Sequence, residues 1–219
     1  MKEGLALDPA RRARLWAEFA ALFLGVPVVM LVFFGSYPLF PVLLALALVA
    51  AGLLAATPGF SFAELLKGPV LGEWKLILGF ALVVGGLCVA IAAQLRPEGM
   101  FWLPLERPGL WLMIMVLYPI ASAAPQELIF RPLFFRRYGG LFATNRAAVT
   151  ANAAIFGVGH LFYMNPLTIL MSAGAGAVFA LAYMRRGSFL LAVVLHAIAG
   201  QMVFTSGLGI YFYHGAVGR

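Results

Sequence analysis

An all-α bundle of about seven membrane-crossing helices is the fold class this sequence predicts, and three observations predict it. The chain is 63% hydrophobic and only 11% charged, whereas a soluble domain is nearer half apolar and a quarter charged. Apolar runs of spanning length recur along all 219 residues, broken by short polar or Pro/Gly-rich stretches. The basic residues also alternate with those runs as an ordered set of crossings requires. No soluble domain, long linker or internal repeat intervenes, so residues 1–219 are expected to form a single integral membrane domain.

The elements follow in order. Residues 1–15 are a basic lead-in to span one, 16–35. That run is longer than a signal-peptide core and no small-x-small cleavage site follows it, so it is expected to be retained. Gly35-Ser36-Tyr37-Pro38 is a turn signal, and span two covers 38–56. In 57–73, Phe60, Phe62, Leu65 and Leu66 alternate with Ser61, Glu64 and Lys67, the pattern of a short amphipathic helix at the interface. Span three covers 74–94. The polar loop 95–108 follows, with Trp102 as an interfacial anchor. Span four covers 109–134, with Pro119 and Pro125 as kinks. After a basic loop, 135–146, spans five, six and seven cover 147–163, 167–184 and 188–206. Small residues from Ser172 to Ala177 suit close helix packing in span six. The aromatic, glycine-rich tail is expected at the interface.

Seven crossings with the N-terminus in the cytoplasm put twelve of the 15 Lys and Arg inside and leave Arg96, Arg107 and Arg219 outside. That bias fixes the orientation and puts the C-terminus outside. It also accounts for the net charge of +7 without a nucleic-acid partner. The single cysteine, Cys88, excludes an intrachain disulfide and a Cys-based metal site.

Polar groups inside the spans are costly and carry the functional signal. Glu127 and Arg131 are four residues apart, on one helical face. Asn152, Phe156 and His160 lie at i, i+4 and i+8 along span five, and His196 and Gln201 lie on span seven. Each pair alone is satisfied as helix-to-helix hydrogen bonding. Together, a carboxylate, an arginine and two imidazoles on three spans suggest water activation inside the bundle. Glu and His are the usual proton-transfer side chains, and the same set can ligate zinc.

These residues resemble the CAAX-processing and bacteriocin-processing intramembrane endopeptidases, the CPBP or ABI family, which includes type II CAAX prenyl proteases. The family pattern is Glu-Glu-x-x-x-Arg, then Phe-x-x-x-His, then His-x-x-x-Asn, on three separate transmembrane helices. Here the three read Gln126-Glu127-Leu128-Ile129-Phe130-Arg131, Phe156-Gly157-Val158-Gly159-His160 and His196-Ala197-Ile198-Ala199-Gly200. The resemblance covers about 110–206, the expected catalytic core. The first Glu, assigned in the family as the water-activating residue, is Gln126 here, and the Asn is Gly200. The Pro125-Gln126-Glu127 arrangement and the aromatic tail are similar to a bacterial branch, which implies a bacterial inner membrane.

The resemblance implies an endopeptidase acting on a membrane-associated peptide or protein within the lipid bilayer. Glu127 is then the expected general base, His160 holds the water and His196 polarises the scissile carbonyl. Gln126, Arg131, Asn152, Phe156 and Gln201 support them, with Asn152 orienting His160 or binding substrate backbone. A zinc form would use Glu127, His160 and His196 as ligands and leaves no separate base, so the metal-independent form is favoured. The alternative is an inactive family member serving as a scaffold or a peptide or lipid binder, for which Gln126 and Gly200 speak. A proton-coupled carrier is a third reading, which the lack of inverted repeats disfavours. On this span map Glu127 is shallow, while His160 lies about 20 Å and His196 about 12 Å deep at 1.5 Å per residue. Their meeting therefore requires span four to extend past Arg131, or the helices to tilt or start deeper.

Overall fold

The structure, a computed structural model, describes residues 8–33 and 39–212. The predicted turn at Gly35-Ser36-Tyr37-Pro38 and the tail beyond Phe212 lie outside the described residues. Among the described residues all regular structure is helical, and the seven predicted spans correspond to seven helices. These are α1 (Pro9–Phe33), α2 (Leu39–Ala55), α3 (Leu71–Leu95), α4 (Pro108–Leu141), α5 (Asn145–Val158), α6 (Pro166–Arg186) and α7 (Phe189–Ser206). Five of them, α1, α3, α4, α6 and α7, are long and apolar enough to cross a membrane. The helix α2 is apolar but shorter.

Three expectations need correction. Span five becomes α5, only 14 residues long, which carries Asn145, Arg146, Thr150 and Asn152 and is not among the helices able to cross alone. It covers about 21 Å of a hydrocarbon core roughly 30 Å thick. Span four does not stop at 134. It continues as α4 to Leu141 and takes in Arg136 and Arg137, which were expected in a loop. The interfacial helix is a single five-residue 3-10 turn, Phe62–Leu66, capped by the Ser61 hydroxyl. Gly59 and Gly68, at φ 74° and 90°, bracket it in backbone that a helix cannot continue through.

Burial ranks the helices. In α7, 56% of the spanning window is buried, against 11% in α3. The helix α7 is therefore the central post, and α3 turns Leu78 and Leu82 outward, as a lipid-facing helix does. The predicted close packing of span six occurs against α5. A Cβ added at Gly176 would lie 2.9 Å from the Phe156 Cβ, so the missing side chain lets Phe156 seat itself between the helices. The helices α6 and α7 join through Gly187, at φ 60°, and Ser188, whose hydroxyl accepts from Leu191 N–H at 3.1 Å.

Ion pairs gather at one end of the bundle. Arg137 bonds Glu18 at 2.7 Å, Arg136 bonds Glu64 at 3.1 Å and Arg186 pairs with Glu73 at 3.3 Å. Toward the other end, Trp111 Nε1–H donates to Thr205 Oγ1 at 2.9 Å, tying α4 to α7.

Candidate active site

Three prolines shape α4. Each lacks an N–H and so removes one helical hydrogen bond. Pro119 opens a π-helical segment, Pro119–Ala123, and Pro132 lies inside a second, Ile129–Tyr138. Between them Ala124–Leu128 is α-helical and carries Pro125, Gln126 and Glu127. Wider π turns in a membrane helix often accompany functional groups, because they redirect side chains that a regular helix would place elsewhere.

Glu127 lies 14 residues before the end of α4, near its middle, and is fully buried with Arg131. The predicted i, i+4 pairing is present. Arg131 Nε–H donates to Glu127 Oε2 at 2.7 Å, and a terminal N–H donates to Oε1 at 3.3 Å. The same Oε1 accepts from His196 Nδ1–H at 2.9 Å. The carboxylate, acceptor-only when ionised, thereby fixes the tautomer of His196 and leaves its Nε2 as a lone pair. The depth conflict disappears because α4 extends past Arg131 and brings Glu127 down to the level of His196.

Aromatic faces hold the cation. The Arg131 guanidinium carbon is 5.1 Å from the centre of the Phe156 ring and 5.7 Å from that of Phe179. Such contacts contribute about 2 kcal/mol when desolvated. Phe179 also stacks on His196 at 5.0 Å and 14°. Phe156 meets His196 edge-on at 5.4 Å and His160 at 5.0 Å, and so lies against Arg131 and both imidazoles.

Asn152 does not orient His160. Its Oδ1 accepts from Arg131, and its Nδ2–H donates to the Phe130 carbonyl at 2.6 Å. It therefore positions the guanidinium and fastens α5 to the π segment. His160 lies past the end of α5, and its Nδ1–H donates to the Phe156 carbonyl at 2.8 Å, again leaving Nε2 open. No hydrogen bond joins His160 to Glu127 among the described residues. Gln201 turns away from the cluster and donates to the Met115 carbonyl at 2.8 Å, which is a helix-to-helix tie.

A cavity of about 590 Å³ opens beside these groups. Its walls are mostly apolar, with Leu22, Phe23, Leu43 and Leu46 from α1 and α2 and Val83 and Leu87 from α3. Its polar lining includes Gln126, His160, His196, Tyr118 and Ser122. Glu127, Arg131 and Asn152 stand behind this lining and do not reach it. Gln126 Nε2–H donates to Ser122 Oγ at 2.9 Å. The proposed zinc set does not fit. Among the described residues Glu127, His160 and His196 form no three-ligand cluster, and both Glu127 oxygens are committed to Arg131 and His196.

Sequence reasoning missed Tyr118, Ser122 and Phe179. The first two were accessible, since Tyr118, Ser122 and Gln126 repeat at i, i+4 and i+8 on one stripe of α4. Nothing in the sequence distinguishes Phe179 from the other phenylalanines.

Residues 108–202 match the family model described as type II CAAX prenyl endopeptidase Rce1-like. The likeness spans 95 of the 219 residues. The Rce1-like region starts at the first residue of α4 and ends four residues before the end of α7, so it contains every candidate residue named above. Over that region the chain is similar to type II CAAX prenyl endopeptidases, and it is built as an all-helical integral membrane protein. No curated protein and no solved structure matches the chain.

Proposed function

We propose that this Rce1-like protein hydrolyses a peptide bond within the membrane, with His196 as general base and Glu127 as the group that holds it. The observation that carries the proposal is the 2.9 Å bond from His196 Nδ1–H to a carboxylate shielded from the cavity and anchored by Arg131. Buried behind the lining, Glu127 serves the base instead of being it.

In this mechanism water enters the cavity and gives a proton to His196 Nε2 as its oxygen adds to the scissile carbonyl carbon. The carbonyl electrons move onto oxygen. Glu127 stabilises the imidazolium that forms, as a buried carboxylate does for a catalytic histidine. The imidazolium then returns the proton to the leaving nitrogen as the C–N bond breaks. His160, its Nε2 also open, accepts a hydrogen bond from the attacking water. The apolar walls suit a hydrophobic peptide segment arriving from lipid. Residues from α1 and α2 close the cavity beside α4, α5 and α7, so the functional unit is the whole chain, 1–219, and not the Rce1-like region alone.

One observation favours a second reading. Gln126, an amide that cannot act as a base, occupies the cavity-facing position where the family resemblance places the water-activating carboxylate. A binder of apolar peptides would keep the cavity and lose the chemistry. Cleavage of a quenched fluorescent library of hydrophobic peptides by the full chain in proteoliposomes separates the two. Hydrolysis by wild type that falls about 10²- to 10⁴-fold in His196→Ala supports the first. Silence of wild type with activity in Gln126→Glu establishes the second.

A further inference from the structure

Both histidines turn only lone pairs toward the cavity, because their Nδ1–H groups are committed to Glu127 and to the Phe156 carbonyl. A peptide carbonyl attacked there develops negative charge on oxygen, and neither imidazole has an open N–H to receive it. A hydrogen-bond donor must come from elsewhere in the lining.

Position 200 shows where. It lies one helical turn beyond His196 on α7 and carries no side chain. A Cβ built there would overlap Cε1, Cζ and Oη of Tyr118. The hydroxyl-bearing end of the phenol, reaching across from α4, therefore occupies the space that a side chain at 200 would fill. The ring meets His196 edge-on at 6.0 Å and Phe204 at 5.7 Å, which fixes its direction.

The phenol shares the cavity wall with Ser122 and Gln126, which lie one and two helical turns further along α4. Gln126 Nε2–H donates to Ser122 Oγ at 2.9 Å, so that pair is joined beside the ring.

We propose that Tyr118 is a catalytic residue that donates its phenolic proton in a hydrogen bond to the carbonyl oxygen of the scissile bond, oriented by its ring contacts with His196 and Phe204 and admitted by the absence of a side chain at Gly200. The role rests on the hydrolytic reading above. No covalent step is involved: the O–H bond stays intact and the hydrogen bond shortens as charge develops.

Tyr118→Phe tests it, because the ring stays and only the oxygen goes. In proteoliposomes, kcat for the best library peptide is expected to fall about 10²- to 10³-fold while KM changes less than about threefold, since the contact gains strength chiefly in the transition state. A phosphinic analogue of the same peptide, whose tetrahedral anion mimics that state, is expected to lose affinity by a similar factor. Gly200→Ala, which displaces the phenol without touching its chemistry, is expected to reproduce both losses. An unchanged thermal midpoint in Tyr118→Phe shows that the bundle is intact. If wild type cleaves and His196→Ala does not, yet Tyr118→Phe retains full kcat and analogue affinity, the Tyr118 role is overturned and the hydrolytic reading stands. If wild type cleaves nothing, both are overturned.

Discussion

Glu127 is buried with two charged or chargeable partners, and that dictates how it responds to substitution. Removing one member of a buried ion pair leaves the other uncompensated, at a cost of about 3–5 kcal/mol. Arg131→Ala should lower the thermal midpoint in detergent accordingly. Arg131→Lys should recover little, because an ammonium cannot make both carboxylate contacts while lying between the Phe156 and Phe179 faces. Glu127→Gln should abolish peptide cleavage to the extent that His196→Ala does, since an amide no longer dictates the His196 tautomer; pre-steady-state hydrolysis checks this. The Glu127–Arg131 contact was legible in the sequence because both residues lie on one helix with a fixed spacing. The partners of Asn152 were not. A side chain on α5 can reach several neighbours, and only the rotation of α5 against the π segment selected Arg131 and the Phe130 carbonyl over His160. His160 was assigned to the body of a span although α5 stops at Val158, because the following apolar residues, Leu161 and Phe162, look helical by composition and fold as a 3-10 turn.

At the scale of elements, the seam between α5 and α6 sets the height of the site. Phe156 reaches Arg131 and both histidines only because Gly176 yields it room. Gly176→Val should cost about 1–3 kcal/mol by overpacking and should depress cleavage by more than its stability loss explains. The paired measurement is thermal midpoint against kcat at a temperature where both proteins are folded. The small-residue run that marks this seam was visible in the sequence. The extension of α4 was obscured, because Pro132, Arg136 and Arg137 together look like the end of a span. In the fold, the π-helical turns accommodate the proline, and Glu64 and Glu18 receive the two arginines. The charges that seemed to terminate the helix are instead its end anchors.

At the scale of the molecule, a bundle in which all seven helices cross places Glu98 and Arg185 on opposite sides of the bilayer. Both are exposed, and Cys88 is fully buried, so wild type gives little background in thiol labelling. Glu98→Cys and Arg185→Cys should each react with an impermeant maleimide from one side only, and from different sides, with Arg185→Cys labelled from the cytoplasm. Labelling of both from the same side would mean that α5 does not count as a crossing. The overall bundle was legible from apolar runs and charge alternation. The cavity was not, since it arises from side chains contributed by all the helices at once. The Glu127–Arg131 pair has a consequence for how that bundle is assembled. Both charges belong to one helix, so they neutralise each other locally when α4 enters lipid, before α5, α6 and α7 have packed against it. The polar partners then dock onto a span that is already settled in the bilayer.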